Sequence, residues 1–481
     1  MHRYRHHTIA LVTLLTLGLS GCSLMPAEHT TDSASLPDSF SQTGQHSFSE
    51  QWWHEFEDPQ LNLLIEEALT SNFTIQSALA RQEQAAAQAN VTQAGLYPNV
   101  TGNAGQSYRR NQQQNGNINK NESFDVGIST RWEIDLWGRM RHRSDAAMYD
   151  YLASSEALQS AAISLAGNIA RTWYQLSEQS ARVDILSRQL TNIEHITEVT
   201  NLRYTSGQGS VSAIWRQEQI AESTRASHLQ AVKRQEILTR QLNVLLGKPP
   251  ASKPRWQVSA FPTLPALPST GIPANLVETR PDIRDRWYQY QARRHQVAEA
   301  RAARIPSFMI SAGTDTSGDQ LEDLFDFWAT DFALSLNVPI FRGGQLKSQQ
   351  RRAEAISTRA FYDYTQTVLN ALREVETNLL EEQSQQEQLA SLQEQTRSAQ
   401  KILDVESARY ATGIQRYLDV LNAQERLFNL QLRSLAAERQ LMERRINLYQ
   451  SLGGSLLNID DNGELMIQMP ITKEEQLQEA V

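Results

Sequence analysis

The strongest constraint in this sequence is an internal duplication. Leu69 to Pro98 aligns without a gap, at an offset of 208 residues, on Val277 to Pro306, which places Asn72 on Arg280, Ile75 on Ile283 and Pro98 on Pro306. Further on the offset becomes 206: Arg203-Tyr204-Thr205-Ser206-Gly207 matches Arg409-Tyr410-Ala411-Thr412-Gly413, and Leu246-Gly247 matches Leu452-Gly453. Self-similarity of this kind means that one structural unit is used twice. The two copies occupy residues 58–248 and 274–454. A proline-rich crossover, 249–273, joins them, and eight of the 15 prolines fall between Pro249 and Pro281. Residues 22–57 precede the copies and a polar tail, 455–481, follows them.

Each copy reads as helix, strand, polar loop, strand and long helical hairpin. The second strand of copy one alternates cleanly, with Phe124, Val126, Ile128, Thr130, Trp132, Ile134 and Leu136 on one face and Asp125, Gly127, Ser129, Arg131, Glu133 and Asp135 on the other. Copy two repeats the pattern with Trp328, Thr330, Phe332, Leu334, Leu336, Val338 and Ile340 against Asp331, Ala333, Ser335 and Asn337. Strands are expected over 99–109, 123–137, 307–317 and 327–341, with polar connecting loops facing outward. Such alternation fits a membrane barrel with lipid outside and water inside, or a half-buried strand of a soluble sandwich. In a membrane, four strands with free edges leave backbone groups unpaired in hydrocarbon, so several chains must share one barrel. Eight strands from a dimer fill with side chains, whereas twelve from a trimer leave a pore. The trimer is the preferred count.

The helical hairpins are expected over 141–246 and 345–452, free of proline in their long first arms. Heptad spacing marks Val183, Leu186, Leu190 and Ile193, then Leu389, Leu392, Ala399 and Leu403, and most strongly Leu418, Leu421, Phe428, Leu432, Leu435, Met442, Ile446 and Tyr449. An ordinary coiled coil or a hollow tube of helices both fit this spacing, and the strands favour the tube. A net charge of −9 leaves no basic excess for binding nucleic acid. Beyond residue 22 no stretch approaches the ~18–20 apolar residues of a spanning helix.

The one cysteine, Cys22, closes an apolar segment from Thr8 to Leu19 that follows Arg3 and Arg5. Leu19-Ser20-Gly21-Cys22 resembles a bacterial lipobox, which implies a signal peptide over 1–21 and acylation of Cys22. Ser23 in the following position suggests sorting to the outer membrane.

The duplicated plan, the lipobox, Trp132-Glu133-Ile134-Asp135-Leu136-Trp137-Gly138 and Glu278-Thr279-Arg280-Pro281-Asp282-Ile283-Arg284 together resemble the TolC-like outer-membrane efflux factors. Within these, the chain is similar to the lipoprotein branch serving resistance-nodulation-division pumps. The resemblance implies a mainly α protein with a membrane β-barrel: a homotrimer with a 12-stranded barrel in the outer membrane and a long α-helical tunnel across the periplasm. It also implies docking to a periplasmic adaptor (a membrane fusion protein) and an inner-membrane pump. In this family, hairpin tips close the tunnel and aspartates ring its aperture. Carried onto this sequence, Asp419 takes one ring position and Asn422 the next, so a second carboxylate ring is absent. Tyr204, Gly207, Tyr410, Gly413 and Arg416 mark the tips, as gating or as purely structural residues. Pro281 suits a first helical turn, Asp282 and Asp285 its positive end, and Gly138 a sharp strand-to-helix turn.

Catalysis finds no footing: there is no Gly-x-Ser-x-Gly elbow and no phosphate-binding loop. Histidines at 29, 46, 54, 142, 195, 228 and 295 include no i,i+4 pair, so neither metal nor cofactor is expected, and the scattered methionines disfavour a copper or silver exporter. The expected function is passive conduction of drugs or small toxic compounds. Two alternatives are a type I protein-secretion channel and a non-pore periplasmic coiled-coil lipoprotein.

Overall fold

The computed structural model describes residues 24–28, 37–45, 48–112, 118–412, 414–459 and 465–467; Cys22 and Gly413 lie outside these. The elements run α1 (Pro59–Ser71), α2 (Phe73–Ala94), β1 (Asn99–Gln112), β2 (Ile118–Ile134), α3 (Arg139–Thr205) and α4 (Val211–Leu245) in copy one. Copy two gives α5 (Pro273–Thr279), α6 (Pro281–Ala302), β3 (Ser307–Gly318), β4 (Trp328–Asn337), α7 (Gln345–Ala411) and α8 (Tyr417–Leu452), followed by a short pair, β5 (Leu457–Ile459) and β6 (Leu465–Ile467). The copies match element by element, and α3 and α7 are each 67 residues long. At 1.5 Å per residue that is about 100 Å of continuous helix.

Two compact units make up the chain. The first contains Arg81–Ser155 and Asp285–Gln366 and holds the sheet. Its four strands are antiparallel in the order β1-β2-β3-β4, so the copies meet at the β2–β3 pair. The register stacks like faces across all four strands. Val100, Thr130, Ala312 and Phe332 form one row, and Ile134, Phe308 and Leu336 another on the same apolar face. The opposite face carries Asn103, Gly127 and Asp315 in one row and Gly105, Asp125 and Ser317 in the next, with Asn103 Nδ2 donating to Asp125 at 3.3 Å. Among the described residues, the outer edges of β1 and β4 have no strand partner.

The strand ends differ from those expected, for identifiable reasons. β2 stops at Ile134 because Asp135 turns to the next helix, its carboxylate accepting from Met140 N at 3.0 Å and Arg141 N at 2.9 Å. β4 stops at Asn337, since Pro339 cannot donate to a ladder. The first hairpin is longer than its apolar stripe, pairing out to Gln112↔Ile118, because the ladder needs backbone groups rather than apolar side chains. Trp137 Nε1 donates to the Pro306 carbonyl at 2.7 Å, joining the end of β2 to the start of β3.

The second unit contains Ser35–Ala80, Glu156–Arg284 and the residues from Thr367 onward. Its core gathers Trp52, Trp53, Phe56, Trp173, Tyr174, Ile446 and Tyr449, with Trp52 stacked on Tyr449 at 5.6 Å. Asp58 caps α1 and accepts from Trp173 Nε1 at 2.8 Å. The duplication survives at atomic detail. Asn72 Nδ2 donates to the Leu245 carbonyl at 2.7 Å, and its counterpart Arg280 donates from Nη1 to the matching Ser451 carbonyl at 2.8 Å. Gly247 (φ +70°) and Gly453 (φ +85°) end the two hairpins, and a Cβ at Gly247 would lie 2.5 Å from the Ser71 carbonyl oxygen.

Helix α8 carries two apolar seams rather than the one that the heptads from Leu418 to Tyr449 mark. Leu427, Leu430, Ala437 and Leu441 pack on Leu389, Leu392 and Ala399 of α7. Met442, Ile446 and Tyr449 of the heptad set instead join the core with Trp173 and Tyr174 of α3, and Phe428 and Leu435 line a polar groove of about 500 Å³ bordered by α3, α7 and α8. A helix with seams on two sides packs between two neighbours, as in a tube wall rather than a two-stranded coil. The crossover is pinned by Arg445, 1% exposed, which pairs through Nε and Nη2 with Glu382 (3% exposed) at 2.9 and 2.6 Å and donates to the Pro265 and Ala266 carbonyls.

Candidate functional site

The tip residues fall at the two hairpin turns of the second unit. At the first tip Gly207 adopts φ +75°, its N–H reaching the Tyr204 carbonyl at 3.0 Å while Gln208 N reaches Arg203 O at 2.8 Å. This is the left-handed helix stop that favours glycine. Tyr204 stands half exposed beside it. At the second tip Ile414 N donates to Arg409 O at 3.0 Å, and α8 begins at Tyr417.

The two tips are tied together. The guanidinium carbon of Arg203 lies 4.3 Å from the centroid of the Tyr410 ring, a cation–π contact. Tyr410 packs against Tyr417 at 5.6 Å. The Tyr417 hydroxyl donates to Gln217 Oε1 and bonds to Thr200, and Gln217, fully buried, donates to the Ile193 carbonyl at 3.3 Å. Burial pushes the Tyr417 phenol up to about 12. Tyr417, Gln217 and Thr200 were not marked by the sequence. Tyr417 adjoins the tip motif, but nothing in sequence separates its hydroxyl from that of any helical tyrosine, and its partners lie in the other copy.

Asp419 sits in the first turn of α8, where a carboxylate suits the helix dipole. It accepts from Gln415 Nε2 at 3.0 Å and lies 3.5 Å from Arg416 Nε. Asp419 and Asn422 share a wall of an open groove of about 780 Å³ with Ser391, Gln395, Glu406 and Arg426. Asp419, Asn422 and Arg416 therefore come together, and Tyr410 joins the inter-hairpin cluster.

The motif at Arg280 is a folding clamp. Its guanidinium, nearly buried, bonds Asp282 at 3.0 and 2.8 Å and Glu374 at 3.0 Å, and these carboxylates together outweigh burial, its largest single influence, and raise its pKa.

A model described as outer membrane efflux protein matches residues 64–248 and 272–454, one match on each copy. The chain belongs to this family. The probable outer membrane lipoprotein SilC of Salmonella typhimurium is 29% identical over 452 residues, covering 91% of this chain and 96% of SilC. The cation efflux system protein CusC of Escherichia coli (strain K12) is 30% identical over 458 residues, 92% of this chain and 98% of CusC. Among solved structures, the outer-membrane channel OprN superposes with a TM-score of 0.83 at 26% identity, over 90% of this chain and 99% of its own. The efflux protein described here is thus an outer-membrane efflux channel with the mainly α, TolC-like fold and its membrane β-sheet, and not an enzyme.

Proposed function

We propose that three copies of this chain close a 12-stranded barrel in the outer membrane and form one conduit, through which a periplasmic adaptor and an inner-membrane pump of the resistance-nodulation-division type discharge drugs or small toxic compounds. The observation that carries this reading is the four-stranded sheet, apolar on one face, polar on the other and, among the described residues, unpaired at both edges. Such a sheet satisfies its backbone in lipid only by joining its β1 edge to the β4 edge of another copy, so strands come in multiples of four. Three copies give the smallest multiple that leaves a pore. The about 100 Å helices supply a periplasmic conduit, and α8, seamed on both sides, supplies its wall.

In this reading the repeat bounds are 58–248 and 274–454, acylated Cys22 tethers residues 22–57 to the membrane, and Asp419 rings the periplasmic aperture. The tips, held by Arg203–Tyr410 and Tyr417–Gln217, keep that aperture narrow. The decisive experiment is conductance of the detergent-extracted protein in a planar bilayer, together with its oligomeric mass. Discrete channel steps from a trimer support the proposal, and a non-conducting monomer overturns it. Incorporation of labelled palmitate by the wild type and not by Cys22→Ser tests the anchor; equal labelling refutes it.

A further inference from the structure

Two histidines that are far apart in sequence meet a carboxylate in the first unit. His142 and Asp145 lie at i and i+3 in the opening turns of α3, on one helix face. His295 approaches from α6. The Nδ1 atoms of the two imidazoles are 3.2 Å apart, the His295 Nδ1 is 3.3 Å from Asp145 Oδ2, and the His142 Nδ1 is 4.0 Å from the same oxygen. All three donor atoms fall within 4.8 Å of one another. Ligands at ~2.0–2.1 Å from a tetrahedral ion are separated by about 3.3 Å. Two edges of this triangle already have that length, and the third needs only a small rotation of the Asp145 side chain, which is 50% exposed.

We propose that His142, Asp145 and His295 form a site for one divalent transition-metal ion of the zinc class, with a fourth position left to water. Imidazole nitrogen and carboxylate oxygen suit Zn²⁺, Ni²⁺ or Cu²⁺, whereas the site has no sulfur for Cu⁺ or Ag⁺. Both imidazoles are held below their usual pKa, chiefly by burial, which keeps them in the neutral form that binds metal. Asp135 adds a second carboxylate to the local field, and Arg141 and Arg294 oppose it. The ion would join α3, which follows β2, to α6, which precedes β3. It therefore staples the two copies beside the seam where Ile134 pairs with Phe308. The i,i+4 search of the sequence could not find this site, because the histidines are 153 residues apart.

The test uses the full chain, purified in detergent with a tag free of histidine and stripped of metal with a chelator. Titration with Co²⁺ is expected to give the intense visible band of a tetrahedral centre, saturating at one ion per chain and displaced by Zn²⁺. His142→Ala and His295→Ala are each expected to weaken binding by about 100-fold or more, and Asp145→Asn by at least about 10-fold. His195→Ala is expected to bind as the wild type does. Each variant is checked for native oligomeric mass, and where alanine lowers the yield, His142→Gln and His295→Gln replace it. A wild type without the band, or a band that survives loss of both histidines, overturns the proposal and leaves the three side chains as a hydrogen-bonded cluster only.

Discussion

Phe332 tests which face of the sheet meets lipid. It sits near the middle of β4, 73% exposed, at the end of the row Val100–Thr130–Ala312–Phe332. Arginine on the lipid face at mid-bilayer costs about 2–4 kcal/mol. Loss of the phenyl group's transfer out of water adds about 1.5–3 kcal/mol. Phe332→Arg is therefore expected to destabilise the inserted barrel by about 4–7 kcal/mol per chain, and every chain in the ring carries the defect. Ala333, the next residue, points to the other face in the row with Arg131 and Ser311. Ala333→Arg should cost within about 1 kcal/mol, since a side chain in water pays no such penalty. The assay is refolding into phosphatidylcholine vesicles across a urea series, with the folded fraction read as heat-resistant oligomer on a gel. If Ala333→Arg is as damaging as Phe332→Arg, or if both are harmless, the assignment of lipid and water faces is wrong.

Four further outcomes follow from named contacts. Glu382→Ala leaves Arg445 buried without its counter-charge and should cost about 3–5 kcal/mol in guanidinium unfolding; a loss below about 1 kcal/mol would show that the pair is solvated. Tyr417→Phe strands the buried Gln217 oxygen at a cost of about 1–3 kcal/mol and should lengthen channel openings in bilayer records, with unchanged open times counting against the tie between the tips. The same tie has a pH limit: because the folded phenol is raised, its contribution is complete below pH 10 and is lost as pH climbs towards about 12, so open times should be flat through neutrality and rise only in that alkaline window. In the proposed trimer, Asp419→Ala removes three carboxylates from the aperture, each partnered by Arg416, so cation preference measured from the reversal potential should fall several-fold at low salt and less at high salt. An unaltered reversal potential would remove Asp419 from the aperture.

Much of the fold was legible because its signals are local and periodic. The alternation from Phe124 to Ile134 needs only the pleat, and the duplication needs only self-comparison. What stayed hidden depends on partners that periodicity does not name. The seam through Leu427, Leu430, Ala437 and Leu441 mixes alanine with leucine and lies beside a stronger heptad on the same helix, so one seam masked the other. Strand ends were overrun where a single side chain or imino acid intervenes, as at Asp135 and Pro339. Arg280 read as part of a helix start, yet its main work is across the fold, on Ser451 and Glu374. The Tyr417–Gln217 bond and the His142–His295 pair each link the two copies, and nothing in either copy alone announces them.

The pairing of β2 with β3 has a consequence for assembly and for divergence. Had the two copies remained separate polypeptides, a 12-stranded ring would need six molecules and six intermolecular joints; fusion turns half of those joints into covalent neighbours at high effective concentration. In the proposed trimer, encounter of three bodies replaces encounter of six, a large kinetic gain for a membrane species that exposes open edges until it closes. Fusion also frees the halves to specialise. The position matching Asp419 in copy one is Ala213, so in the proposed trimer aspartate-bearing and alanine-bearing hairpins alternate around the aperture, and Asn72 likewise stands in copy one where copy two has the Arg280 clamp. A ring of six identical hairpins could carry six carboxylates or none, whereas the fused gene can set three.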